Sequence, residues 1–109
     1  MVRKCNLYLR DYHYSYPLDT WLEVCKDKTP TTVLFEEIDI PYYNCTLRLY
    51  ECDISYPGII YKTEPKFKMI DGNHRLWKQI LSKKESGMFY ILDDNDLSKL
   101  TKYRDSRDI

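Results

Sequence analysis

"KFKMIDGNHRLWKQIL", residues 66–81, changes its period halfway through. It opens as a run in which apolar residues alternate with lysine, stops at Asp71-Gly72-Asn73, and resumes with apolar residues at helical spacing. Alternation is the mark of a half-buried strand, and a 3.6-residue period the mark of an amphipathic helix. The stretch therefore predicts a strand, a tight polar turn and a helix whose apolar stripe is Leu76, Trp77, Ile80 and Leu81, with Trp77 in the core and Lys78, Gln79, Lys83 and Lys84 opposite.

Working outward, "YPGIIYK" (56–62) and "KFKMI" (66–70) are two strands separated by a Thr63-Glu64-Pro65 turn. Downstream, Gly87 is expected to close the helix, "MFYIL" (88–92) to form a buried strand, and "DDNDLSKLTKY" to restart as a helix with acidic capping residues and Leu97, Leu100 and Tyr103 at helical intervals. Upstream, "TTVLFEEIDI" (31–40) reads as one strand ended by Pro41, and "NCTLRLYECD" (44–53) as another, with Cys45, Leu47 and Leu49 alternating against Thr46, Arg48 and Tyr50. "CNLYL" (5–9) is a short strand, "DYHYSYP" (11–17) a tyrosine-rich loop, and "LDTWLEVCKDK" a short helix with Trp21, Leu22 and Cys25 on one side and Pro30 beyond it. Mostly strands, with one central helix set between two of them, make an α+β domain with a small mixed sheet.

At 109 residues the chain has room for one domain, taken as residues 1–109. Its apolar content of 43% belongs to a folding sequence. Seventeen basic and seventeen acidic residues cancel, which argues against a strongly basic nucleic-acid binder. No secretory leader and no apolar run long enough for a membrane span are visible, so a cytoplasmic protein that makes no membrane contact is expected. The four cysteines form no C-x-x-C pair and read as reduced, buried small hydrophobes, with no protein-held metal site.

The chemistry concentrates at Asp71 to Arg75. A helix begins with unpartnered backbone N–H groups and partial positive charge, so an anion is favoured there. Gly72 permits turn geometry that other residues resist and carries no side chain to block a ligand. Arg75 in the first turn offers a forked guanidinium to a phosphate, and His74 a donor whose charge is adjustable near neutral pH. Five consecutive polar or glycine residues exceed what one cap requires, although Asp71 or Asn73 could also simply cap the helix.

"MIDGNHRLWKQILSKKESGMFYILDD", Met69 to Asp94, resembles the signature segment of the ParB/sulfiredoxin-like superfamily: strand, D-G-x-x-R turn, helix, glycine, strand. "LFEEIDIPYYN" is similar to that family's first conserved strand and "YPGIIYK" to another, so the resemblance covers Val33 to Asp94. It implies a compact fold whose glycine turn holds nucleotide phosphates at a helix start. Members phosphorylate sulfinic acids, hydrolyse CTP, transfer phosphate to serine or act as nucleases.

Asn73 stands where sulfiredoxins carry their nucleophilic cysteine, which argues against sulfinic-acid repair. The tail after Leu92 supplies at most one helix, so the DNA-reading domain of partition proteins is not expected. The kinase-like branch implies an upstream glutamate as base, for which Glu36 and Glu37 are candidates on opposite faces of the first strand. His74 is the further catalytic candidate, and Arg48 a further ligand contact.

The expectation is thus a nucleotide-binding domain taking ATP or CTP with Mg2+ through Asp71, Gly72, Asn73, His74, Arg75 and Arg48. Phosphoryl transfer, triphosphate hydrolysis or DNA cleavage are the reactions the resemblance implies. The competing reading is a non-catalytic module of phage or mobile-element type that binds protein or nucleic acid.

Overall fold

The computed structural model describes residues 4–9, 12–40 and 56–107. Strand β1 (Lys4–Leu9) pairs antiparallel with β2 (Tyr12–Pro17), in a register that sets Lys4 against Pro17 and Leu9 against Tyr12. The expected tyrosine-rich loop is therefore a strand. Tyr12, Tyr14 and Tyr16 recur at every second position, the strand period, with His13 and Ser15 between them. Tyr16 is buried, and its hydroxyl donates to the Leu100 carbonyl at 3.1 Å.

Helix α1 (Leu18–Cys25) follows directly and buries Trp21, Val24 and Cys25, positions i, i+3 and i+4, while Leu22 is exposed. The Trp21 indole N–H donates to the Cys5 carbonyl at 3.0 Å, fastening the helix to β1.

Among the described residues a five-stranded mixed sheet carries the rest, in the order β3-β7-β5-β6-β4. Its strands are β3 (Thr31–Leu34), β4 (Ile38–Asp39), β5 (Gly58–Tyr61), β6 (Phe67–Asp71) and β7 (Ser86–Leu92). The segment expected as one strand over 31–40 is split by a turn of 3-10 helix at Phe35–Glu37. The split closes the fold. Flat, the two edge strands would stand roughly 19 Å apart, four spacings of about 4.8 Å, yet the four steps from Leu34 to Ile38 span at most about 14 Å. The sheet has to curl, and its concave side encloses Val33, Phe35, Ile38, Ile60, Leu76 and Phe89.

Helix α2 (Asn73–Leu81) seals that concave side with Leu76, which is fully buried, and Ile80. Trp77, expected in the core, is only half-buried, and Leu81 is exposed. The helix stops without Gly87: the Ser82 hydroxyl donates to the Lys78 carbonyl at 2.8 Å and Lys83 turns left-handed at φ 65°. Gly87 lies inside β7, where a Cβ would sit 2.9 Å from the Gln79 side chain.

On the convex side the hairpin, α1 and helix α3 (Asp94–Arg107) cover Ile59, Tyr61, Ile70 and Leu92, with Leu97 and Leu100 packed among them. Burying a Leu or Ile of this kind contributes about 1.5–3 kcal/mol. The chain is an α+β domain of three α-helices and a curled mixed sheet among its described residues. No helix in them is long and apolar enough to cross a membrane. Cys5 and Cys25 are buried free thiols, and burial pushes Cys25 up to about 11. The expected strand at 44–53, with Arg48, Cys45 and Cys52, lies outside the described residues.

Candidate functional site

The joint between β6 and α2 is built by an irregularity in the strand. In the β5–β6 register Ile60 faces Met69 but Ile59 faces Asp71, so Ile70 is an extra residue, a β-bulge. Bulges re-aim the side chain that follows. Here Asp71 is turned to the same side as Ile59, where it is buried and its Oδ1 accepts from the Cys5 Sγ at 3.8 Å.

Gly72 then takes φ 103°, ψ 18°, a left-handed conformation that favours glycine. Its carbonyl accepts the Leu76 N–H at 2.8 Å and opens α2, and no side chain caps that end. A Cβ on Gly72 would lie 3.0 Å from the Gly58 Cα. A Cβ on Gly58 would in turn meet the Phe89 ring at 2.8 Å and the Asp71 carbonyl at 3.0 Å, so each glycine sits where a side chain would intrude. Gly58 is a participant that the sequence reading passed over, although Pro57-Gly58 was the available signal.

Arg75 folds back over the turn. Its Nη2 donates to Asp71 Oδ2 at 2.8 Å, and its Nη2 and Nε lie 3.3 and 3.5 Å from where a Gly72 Cβ would stand. A buried carboxylate needs such a partner. The guanidinium expected to face an anion is therefore at the turn, with one of its nitrogens already engaged. The N-cap residue itself, Gly72, supplies no side-chain cap. Arg75 Nε and Asn73 Oδ1 are buried with no hydrogen-bond partner. His74 is half-buried in the same first turn.

The structure brings Asp71, Gly72, Asn73, His74 and Arg75 together and leaves the glutamates apart. Glu36 and Glu37 are not strand residues on opposite faces but exposed members of the 3-10 turn. They immediately precede Ile38, which pairs with Phe67 at the start of β6, whereas Gly72 follows the end of β6. Five residues of strand separate those points, roughly 16 Å at about 3.3 Å per residue. Glu36 lines a different hollow, of about 430 Å3, with Phe35, Ile40, Ile80 and Lys84 at the far end of α2. Arg48 cannot be placed, being outside the described residues.

No three histidine, cysteine or acidic side chains converge as a metal site among the described residues. Compared with protein-family models, with curated proteins and with solved structures, the chain matches none.

Proposed function

We propose that the chain is a nucleotide-binding domain of ParB/sulfiredoxin-like type that holds phosphate at the Gly72 turn. One observation carries the reading: a helix N-terminus without a side-chain cap stands beside a half-buried guanidinium whose Nε, itself buried, has no partner. Native proteins pair nearly all buried polar groups, so an orphan donor at a helix start is where an anion adds hydrogen bonds without displacing any. Asp71 serves as the positioning residue. By holding Nη2 it turns Nε toward the turn, and a phosphate oxygen there would receive Nε–H, the first-turn amides and the favourable end of the helix dipole.

Mg2+ would be held here by phosphate oxygens and water, because Asp71, the acidic side chain at the turn, is engaged by Arg75 and Cys5. When bound, it would neutralise charge on the β- and γ-phosphates. Binding, more than chemistry, is what these residues support. The glutamates implied as bases sit at the opposite end of β6, which leaves His74 as the imidazole in reach for phosphoryl transfer, hydrolysis or strand cleavage.

Calorimetry with ATP and CTP, each with and without Mg2+, tests the reading. At least one nucleotide should bind, and Arg75→Ala should weaken it by tenfold or more; flat titrations with both would overturn it in favour of a non-catalytic protein- or nucleic-acid-binding module. Loss of any triphosphatase or plasmid-nicking activity in His74→Ala, with binding retained, would extend the reading to catalysis.

A further inference from the structure

A second hollow lies along the β1–β6 seam, beside Lys68 and Met69 of β6 and ahead of the Gly72 turn. Asn6, Leu7 and Tyr8 of β1 meet Lys68 and Met69 of β6 and Asp39 of β4 around a cavity of about 180 Å3. Tyr8 is 64% exposed, yet its ring is held: it stacks on His13 across the hairpin, centroids 4.2 Å apart and planes 11° from parallel. His13 is fixed in turn, its Nε2 being 3.0 Å from Asn6 Oδ1. With one face of Tyr8 covered by imidazole, the exposed area lies on the opposite face and edge.

A cross-strand ring pair by itself stabilises a hairpin. The hollow beside it goes further, because it combines a rigid open aromatic face with an unusual rim. Asp39 and Lys68 are register neighbours on β4 and β6, and neither is engaged in an ion pair or side-chain hydrogen bond among the described residues. The Asn6 amide group adds donors to that rim, and Met69 contributes a polarizable thioether. Aromatic face, apolar floor and a rim with acceptors, donors and a cation match a planar heterocycle with a polar edge. They do not match a lipid tail, which would leave Asp39 and Lys68 desolvated without partners.

We propose that this hollow is a nucleobase site, in which the heterocycle stacks on the open face of Tyr8 and its edge is read by Asn6 and Asp39, with Lys68 beside the sugar or phosphate. The base belongs either to a free nucleotide or to an unpaired base of a single-stranded nucleic acid. The inference stands apart from the reading of the Gly72 turn, although the two sites share a seam: Cys5 touches Asp71 at one end of β1 and Tyr8 reaches the hollow at the other.

The test is backbone-amide NMR on the full chain with adenosine, ATP and a short mixed-sequence DNA single strand. Adenosine, which has no phosphate, should shift the Asn6, Tyr8, Asp39 and Lys68 signals. Tyr8→Ala should weaken that binding by roughly tenfold or more, as expected for loss of a stacking ring, while Tyr8→Phe, which keeps the ring and controls for folding, should retain it. ATP binding more tightly than adenosine, with the gain erased by Arg75→Ala, identifies free nucleotide as the source. The single strand binding more tightly than ATP, with steep salt dependence and sensitivity to Lys68→Ala, identifies nucleic acid.

The inference is overturned if none of the three ligands moves those four signals, or if Tyr8→Ala binds adenosine as tightly as the unmodified chain. ATP perturbing only residues 72–75, with adenosine silent, overturns it and leaves the Gly72 reading intact. Adenosine perturbing Tyr8, with ATP leaving 72–75 unmoved, does the reverse.

Discussion

Two strand-to-helix joints in this molecule do the same topological task in opposite ways. At the β7–α3 joint, Asp93 and Asp96 cap each other: the Asp96 N–H donates to Asp93 Oδ1 at 3.1 Å and the Asp93 N–H to Asp96 Oδ2 at 2.9 Å. Asp96 is buried and also holds Lys28 at 2.8 Å, tying the segment before β3 to α3. That joint consumes its own hydrogen bonds. The β6–α2 joint has a left-handed glycine, no side-chain cap, and two orphan polar atoms, Arg75 Nε and Asn73 Oδ1. A joint that only needs to turn the chain is completed internally, as at Asp93. The β6–α2 joint instead leaves one donor, Arg75 Nε, and one acceptor, Asn73 Oδ1, unused, and the proposed phosphate reading rests on that donor.

The largest effect that could break this contrast is at Gly72. Gly72→Val forces a β-branched residue into positive φ and drives its Cβ onto Gly58, and should cost about 3 kcal/mol in a denaturant melt. A variant as stable as the parent would show that the turn is not under the constraint described.

Next comes the closed joint. Asp96→Ala removes a cap and the Lys28 pair, for about 2 kcal/mol. Its pH dependence is the sharper readout. Burial alone pushes the Asp96 carboxyl up, but Lys28 and the backbone and side-chain hydrogen bonds of Asp93 outweigh it and hold it below the ordinary value of 3.8. A depressed folded value means a contribution that is full above that ordinary value and lost as pH falls through the folded one. The parent should therefore lose part of its stability below about pH 4, and Asp96→Asn should flatten that limb of the melting curve.

Tyr61→Phe should cost about 1 kcal/mol. The Tyr61 hydroxyl donates to Asp94, and that bond first, burial second, pushes the phenol up to about 12 from 10.0. Raised in the folded state, it contributes fully below pH 10 and fades as pH rises through 12. The parent and Tyr61→Phe should thus converge in stability across that alkaline window, which a pH series of thermal melts would follow.

The smallest change separates the joints most directly. Adding ATP with Mg2+ at a free concentration equal to its dissociation constant should raise the stability of the parent and of Asp96→Ala alike, by about 0.4 kcal/mol, and do nothing for Arg75→Ala. Equal stabilisation of Arg75→Ala would remove the distinction between an open and a closed joint.

Much of the frame was legible in residues 66–81 and their neighbours. The strands at 58–61, 67–71 and 86–92, the helices at 18–25 and 73–81, and the clustering of Asp71 to Arg75 follow from hydrophobic period and turn residues. Errors fell where a distant partner decides. The 12–17 stretch is a strand because β1 lies beside it, and Trp77 stays half-buried because Leu76 and Ile80 fill the concave side. Glu36 and Glu37 moved out of a strand because the chain must cross from one sheet edge to the other there.

By itself the sequence determined the α+β class and the glycine turn that opens α2, because period and left-handed geometry are properties of a few adjacent residues. Only the tertiary structure decided that Arg75 folds back on Asp71, that Cys5 sits beside it, and that the glutamates lie at the opposite end of β6. Those facts depend on the bulge at Ile70 and on the curl of the sheet, which arise from pairing between residues far apart in the chain.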